Sequence, residues 1–161
     1  MNTKNIGIGI IVIIVLAVGG YFAYKSTMTS DPQTNQNPPA DQVQAQDIAP
    51  GTGAQASPGD TVSVLYKGQF ENGTVFDSSE AHGNKPLTFV LGAPGMIPGF
   101  QIGVNGMKEG GERVMAIPPG LGYGSADYKD QNGNVIIPGN STLIFNVKLL
   151  KVVSATSTST Q

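Results

Sequence analysis

The chain has 161 residues, a net charge of −2 and no cysteine. This length predicts one domain with additional segments. Because cysteine is absent, a disulfide framework, a Cys-ligated zinc site and a thiol nucleophile are excluded. The nine Lys and Arg residues are scattered along the chain, so no basic patch indicates a nucleic-acid partner.

The first feature along the chain is an uncharged apolar run at residues 6–24, preceded by a short tail at 1–5. The run is long enough to cross ~30 Å of hydrocarbon as a helix. It predicts a single N-terminal transmembrane helix, with the C-terminal domain outside the cytoplasm. The alternative is a cleaved signal peptide and a secreted product, with Ala17-Val18-Gly19 as the cleavage site.

Two stretches are too polar to fold. Residues 25–46 are rich in Gln, Asn, Pro, Ser and Thr, and they predict a disordered linker. Residues 154–161 have a low-complexity polar sequence and predict a disordered tail.

Between these stretches, residues 47–153 have the pattern of a folded domain. Asn72-Gly73 predicts a two-residue hairpin turn that leads to a strand ending near Asp77, because both turn residues tolerate a positive φ. The other four strands are predicted from apolar periodicity at 61–68, 87–91, 112–117 and 142–152.

One further stretch, 96–107, has helical spacing. Phe100, Val104 and Met107 recur at helical intervals, and Pro98 suits the first turn of a helix. Glycines within and after this stretch keep the predicted helix short. With five strands and one helix the domain is α+β, and the helix must cover one face of the sheet.

The sequence favours neither a calcium-binding loop nor a catalytic triad. A long loop is expected from Gly120 to Asn140. Its run 127–134 resembles a calcium-binding loop, but counted from Asp127 or Asp130 there is no glycine at position six and no glutamate at position twelve. The single histidine, His82, lies in a glycine-containing loop near Asp77. A solvated loop histidine is favoured there over a Ser-His-Asp triad. No metal site and no cofactor are expected.

Five segments of the chain together resemble the FKBP-type peptidyl-prolyl isomerases, the macrolide-binding immunophilins. The resemblance is collinear over about residues 43–153, and it implies a five-stranded antiparallel sheet wrapped around one short helix, with an apolar pocket between them. The isomerase domain is expected at 47–153. The five segments are 58–79, 84–92, 97–113, 117–124 and 136–150.

The resemblance also implies which residues build the pocket. It implies that the Ile97 N–H and the Tyr123 hydroxyl bind the peptide carbonyls around the proline. The expected catalytic residues are Tyr66, Phe76, Asp77, Ile97, Phe100, Tyr123 and Phe145. The expected substrate-binding residues are Leu87, Met96, Ile136 and Ile137.

Three features depart from the best-known members of the family. Phe100 stands where those members have a tryptophan on the pocket floor, and Leu87 stands where they often have a phenylalanine. Both replacements keep the pocket apolar but less aromatic. The loop from Tyr123 to Ile136 is about five residues longer than in the small members, which should change substrate selection.

The resemblance implies a peptidyl-prolyl cis-trans isomerase that acts on X-Pro bonds of proline-containing polypeptides. Together with the predicted anchor, it implies assistance to the folding of exported or membrane-proximal proteins. Macrolide inhibitors of the family are a second implied ligand class, and a monomer is expected. The alternative is a non-catalytic, membrane-tethered binding module or holdase for proline-containing segments.

Phe76 and Asp77 set a geometric condition on this pocket. Consecutive residues of an ideal strand point to opposite faces, so the strand must end or bulge there if both residues line the pocket. A partly buried carboxylate also needs a hydrogen-bond partner. Tyr66, across the predicted hairpin, is the predicted donor.

Overall fold

The structure is a computed structural model that describes residues 41–155. The predicted anchor at 6–24, most of the predicted linker and most of the predicted tail lie outside the described residues. Within the described part of the chain, no helix is long and apolar enough to cross a membrane.

Residues 41–155 form eight strands, one α-helix and two short 3-10 turns. The helix α1 is Pro98–Val104, and the 3-10 turns are Glu80–His82 and Pro119–Leu121. The strands are β1 (Gln44–Ala49), β2 (Thr61–Phe70), β3 (Val75–Ser78), β4 (Leu87–Val90), β5 (Glu112–Ile117), β6 (Tyr128–Lys129), β7 (Val135–Ile137) and β8 (Leu143–Val153).

Six of the strands form one antiparallel sheet in the order β1-β5-β8-β2-β3, with β4 also paired to β2. Because β8 pairs along the whole of β2, strands β3 and β4 share the other edge of β2. β3 pairs with Lys67–Gln69 and β4 with Thr61–Val64. The chain between them leaves the sheet edge at the middle of β2, where it forms the 3-10 turn Glu80–His82.

The core lies between α1 and one face of the sheet. Strand β8 contributes alternate buried residues, as its sequence period predicts, and α1 contributes Phe100 and Val104. Gly99 faces Ile117 and Gly103 faces Met115, and a Cβ atom at either glycine would overlap the facing side chain on β5. These two glycines, one helical turn apart, therefore allow the helix to lie close to the sheet.

Arg113 on β5 connects three elements of the domain. Its Nε donates to Oδ1 of Asp47 at 2.6 Å, which joins the edge strand β1 to β5. Its Nη1 donates to the carbonyl oxygen of Gly103 at 2.8 Å, near the end of α1, where helix carbonyls lack intrahelical partners. The contact fixes the C-terminal end of the helix over the sheet.

The predicted strand count was wrong, because the main sheet has six strands and the sequence indicated five. The missed strand is β1, which begins at Gln44, inside the stretch expected as linker, and which pairs with β5 at the edge of the sheet. It is an edge strand with no fully buried residue. It therefore shows none of the apolar alternation from which half-buried strands are recognised.

The predicted two-residue turn at Asn72-Gly73 was also wrong in its length. The Phe70 N–H donates to the carbonyl oxygen of Thr74 at 2.9 Å, which encloses a three-residue loop. Gly73 has a φ of 84° and Asn72 has no positive φ. This is the hairpin in which a type I turn is followed by one left-handed glycine, and it needs a positive φ only at that glycine.

The predicted loop from Gly120 to Asn140 contains a small hairpin, formed by β6 and β7. Asp130 organises its turn, since Oδ1 accepts the N–H groups of Asn132 and Asn134, each at 2.9 Å. The polar run that superficially resembled a calcium loop is thus a turn that uses this carboxylate internally. Its strands have two and three residues, too few to show a period in the sequence.

Candidate active site

Tyr66 on β2 and Asp77 on β3 are in direct contact. The Tyr66 hydroxyl donates to Oδ2 of Asp77 at 2.7 Å, so the predicted hydrogen-bond partner is confirmed. The second oxygen, Oδ1, accepts the N–H of Ser78 at 2.8 Å. Both carboxylate oxygens therefore have donors, as the partial burial of Asp77 requires.

A β-bulge places Phe76 and Asp77 at the same site. Gly68 of β2 pairs with Asp77 and Gln69 pairs with Val75, so Phe76 is an extra residue in β3 without a partner on β2. The prediction that this strand must end or bulge at Phe76 and Asp77 is confirmed. A bulge redirects side chains that would otherwise alternate, and it brings the ring of Phe76 and the carboxylate of Asp77 to one end of the sheet.

Five aromatic rings, which we call the aromatic cluster, form the apolar part of the site. Phe100 is the most central, because its ring centroid lies 5.0 Å from that of Phe145, 5.9 Å from Phe89 and 6.2 Å from Tyr66. Phe76 joins through Phe145, with centroids 5.6 Å apart. Three of these four pairs are edge-on, a favourable geometry for aromatic pairs.

The other predicted pocket residues lie around the cluster at different depths. Leu87 at the start of β4, Met96, and Ile97 directly before α1 are half-buried and pack against the core. Ile137 of β7 is buried, whereas Ile136 is 40% exposed and Tyr123 is 38% exposed. Ile136 and Tyr123 are therefore at the rim, where a bound polypeptide could reach them.

Two hydrogen-bond donors at the site have no protein partner among residues 41–155. The N–H of Ile97 precedes the first turn of α1, where backbone N–H groups have no intrahelical acceptor. The hydroxyl of Tyr123 makes no hydrogen bond to the described residues, and its ring packs on Tyr128 with centroids 4.8 Å apart. The resemblance assigns carbonyl binding to these two groups.

The electrostatics keep both tyrosine hydroxyls protonated. Burial, followed by the hydrogen bond and the negative charge of Asp77, raises the pKa of Tyr66 far above its usual range. Burial is also the main reason that the pKa of Tyr123 is raised, with smaller contributions from Tyr128 and Asp77. Both groups therefore remain hydrogen-bond donors at neutral pH.

Sequence reasoning missed the role of Gly68. A Cβ atom at this position would lie 2.6 Å from Cζ of Phe76 and 2.8 Å from Cε1 of Phe145. Only a residue without a side chain leaves room for these two rings. The sequence offered one weak signal, a glycine within a strand pattern, which often marks a bulge or a close approach.

Sequence reasoning also missed the contact of His82 with the site. Nε2 of His82 lies 2.8 Å from Oδ1 of Asp77, although the histidine was expected to be a solvated loop residue. Its side chain is 61% exposed, so the histidine is solvated as expected. The contact with Asp77 was not expected. No sequence motif encodes this contact, because it depends on the path of the turn Glu80–His82.

A groove with a volume of about 210 Å³ meets the aromatic cluster only at Tyr66. Its lining also includes Leu65 and Lys67, which alternate along β2 with Val64 and Tyr66 and so belong to the outer face of the sheet. Charged and amide side chains surround much of it. The aromatic cluster, rather than this groove, has the apolar surface and the unpaired donors.

Comparisons with known proteins agree with this geometry. Residues 53–150 match the family model described as FKBP-type peptidyl-prolyl cis-trans isomerase. An FK506-binding protein of Neisseria meningitidis serogroup A is 44% identical over 107 residues, which are 66% of this chain and 93% of that protein. FK506-binding protein 4 of Emericella nidulans is 49% identical over 102 residues, 63% of this chain. The chain spans about one fifth of the length of that fungal protein, since the match covers 20% of it.

Two solved structures resemble the fold. The crystal structure of AtFKBP13 has a TM-score of 0.63 and 35% sequence identity, over 69% of this chain and 93% of that chain. The crystal structure of FkpA from Escherichia coli has a TM-score of 0.60 and 37% identity, over 86% of this chain and 59% of that chain. The resemblance noted in the sequence is confirmed, and the chain belongs to the FKBP-type peptidyl-prolyl cis-trans isomerase family.

Proposed function

We propose that the chain catalyses cis-trans isomerisation of X-Pro bonds in polypeptides. The observation that carries the proposal is the arrangement of the Tyr66–Asp77 hydrogen bond beside the aromatic cluster. It occurs in a chain whose residues 53–150 match the isomerase family.

The reaction needs no bond to be made or broken, only rotation about an amide. The barrier of about 18–20 kcal/mol comes from amide resonance, and the uncatalysed exchange takes tens to hundreds of seconds. The planar amide is more strongly dipolar than the twisted transition state. Apolar surroundings therefore solvate the planar amide poorly and disfavour it relative to the twisted one, a differential effect of the kind that lowers a barrier.

In the proposed complex the proline ring contacts Phe76, Phe100, Phe145 and Ile97. The N–H of Ile97 and the hydroxyl of Tyr123 donate to the peptide carbonyls on either side of the bond that rotates. Asp77, held by Tyr66, adds a fixed negative charge beside the pocket. Leu87, Met96, Ile136 and Ile137 contact the remaining substrate.

The test is the cis-to-trans rate of a short X-Pro peptide in the presence of the full-length chain. The chain should accelerate the exchange in proportion to its concentration. A rate equal to the uncatalysed one, with peptide binding retained, would support the non-catalytic binding module instead. Suppression of aggregation that survives substitution of the pocket residues would indicate a holdase surface elsewhere.

Macrolides are proposed as competing ligands of the same pocket. Relatives of this chain bear the name FK506-binding protein. The half-buried rings of Tyr66, Phe76 and Phe89 in the aromatic cluster offer apolar surface to such a ligand. Inhibition of the isomerisation by FK506 tests this proposal, and full activity at saturating FK506 would contradict it.

The place of action is proposed from the sequence. The apolar run at 6–24 supports a single-pass anchor that holds a monomeric domain outside the cytoplasm, where it assists exported or membrane-proximal proteins. N-terminal sequencing of the chain recovered from membranes separates an anchor from a cleaved signal peptide. A mature N-terminus near residue 20 would contradict the anchor.

A further inference from the structure

The carboxylate of Asp77 has a partner besides Tyr66. Nε2 of His82 lies 2.8 Å from Oδ1, while the Tyr66 hydroxyl occupies Oδ2. An ionised carboxylate can only accept hydrogen bonds, so this ring nitrogen carries the proton. The carboxylate is thus held at both oxygens by side chains from opposite sides, one on the sheet and one on the 3-10 turn.

The turn that carries His82 is attached to the strand that carries Tyr66. Ser79 is 3% exposed, and its Oγ accepts the N–H of Tyr66 at 3.0 Å while its own N–H donates to the Tyr66 carbonyl oxygen at 2.9 Å. The N–H of His82 in turn donates to the carbonyl oxygen of Ser79 at 3.1 Å. Backbone hydrogen bonds therefore place the imidazole relative to the Tyr66–Asp77 pair.

The ionisable groups around this contact are few. Asp77 on β3 faces His82 directly, Tyr66 on β2 binds the same carboxylate, and Tyr123 in the loop after β5 is within its electrostatic influence. Glu80 is on the same 3-10 turn as His82, and Lys85 follows three residues later. Neither Glu80 nor Lys85 forms an ion pair among the described residues.

We infer that His82 is a positioning residue for the proposed isomerisation, which fixes the orientation of the Asp77 carboxylate from the side opposite Tyr66. The inference rests on the proposed function. Without His82, Oδ1 would keep only the N–H of the neighbouring residue Ser78, and the 40% exposed carboxylate would gain rotational freedom. Tyr66 would then be the only one of these two side chains that holds the carboxylate in place.

The experiment measures kcat/KM of the full-length chain at neutral pH for variants that keep or remove the hydrogen-bond donor of His82. His82→Leu, with no donor, should lower kcat/KM about two- to fivefold, the range that exposed pairs of this kind can supply. His82→Gln and His82→Arg each keep a donor and should retain most of the wild-type value.

Lys85→Gln is the matched control, because it removes a nearby charge outside the contact. It should keep the wild-type kcat/KM, and thermal unfolding should show that all variants fold. Wild-type activity in His82→Leu, or an equal loss of activity in His82→Gln and His82→Leu, would overturn the inference. An inactive wild-type chain would overturn the proposed function together with it, so the two failures are distinguishable.

Discussion

Gly68 lies directly beneath the ring of Phe76, and a Cβ atom built on the glycine would come within 2.6 Å of Cζ of that ring. The same Cβ would come within 2.8 Å of Phe145, so the glycine faces two rings of the aromatic cluster at once. Since Phe76 occupies the bulge of β3, the position of its ring depends on both the bulge and the glycine. The bulge brings the ring over β2, and the glycine leaves room for it.

Gly68→Ala should therefore damage the site and the fold together. The added methyl group must displace Phe76 or Phe145, and overpacking of this kind costs about 1–3 kcal/mol. We expect a lower free energy of unfolding in urea and a lower kcat/KM. Gly120→Ala is the control, because a Cβ there meets no atom within 4 Å. Equal effects of the two substitutions would refute the packing argument.

Tyr123→Phe removes a hydroxyl proposed to bind a substrate carbonyl. One hydrogen bond contributes about 0.5–1.5 kcal/mol net, so kcat/KM should fall roughly three- to tenfold. Tyr128→Phe is a matched control, since its ring packs on Tyr123 and its hydroxyl has no proposed role. It should retain wild-type activity. Unchanged activity in Tyr123→Phe would remove this residue from the proposed site.

Tyr66 should make the domain sensitive to alkali. Burial and the contact with Asp77 raise the pKa of Tyr66 in the folded chain, whereas the unfolded chain has the ordinary value of about 10. Above that pH the unfolded state binds fewer protons than the folded state, so stability falls as pH rises. The contribution is fully present below about pH 10.

Tyr66→Phe should consequently lose less stability than the wild type between about pH 9 and 11, even though it is less stable at neutral pH. Urea unfolding midpoints at several pH values measure this difference. Tyr128→Phe should follow the wild-type curve. Parallel curves for Tyr66→Phe and the wild type would show that Tyr66 does not retain its proton in the folded state.

Gly99→Ala tests the close approach of α1 to the sheet. Alanine favours a helix by about 1 kcal/mol relative to glycine. Here, however, the new methyl group would overlap Ile117, whose β-branched side chain is stiff, and would lie 3.0 Å from the carbonyl oxygen of Leu121. We expect net destabilisation in thermal unfolding. Ile102→Ala, at a 54% exposed position of the same helix, should change stability little.

Much of the domain could be predicted from local patterns. Strand β5 was predicted with its observed bounds, and Leu143, Phe145, Val147 and Leu149 of β8 are all buried as their alternation indicated. For these strands the signal depends on burial of one face, which the sequence period records directly. The bulge at Phe76 was predicted from the family resemblance instead, because the resemblance places two adjacent residues of one strand at the same site.

Other features had no local signal. The edge strand β1 has no buried face, and the short strands β6 and β7 show no period. The extra residue of β7, Ile136, lies at a register shift between β6 and β7, which the pairing of the two strands defines. Register between strands is a long-range property, so composition and spacing along one strand do not specify it.

The sequence by itself determined the apolar faces, the short helix that begins at Pro98, and the set of aromatic residues from which a dry pocket could be built. Only the tertiary structure decided that His82 reaches Asp77, that Gly68 accommodates Phe76, and that β3 and β4 share one edge of β2. The physical reason is that burial is recorded in the periodicity of each segment. A contact between two segments depends instead on the path of the chain that joins them, and here the turn Glu80–His82 sets that path.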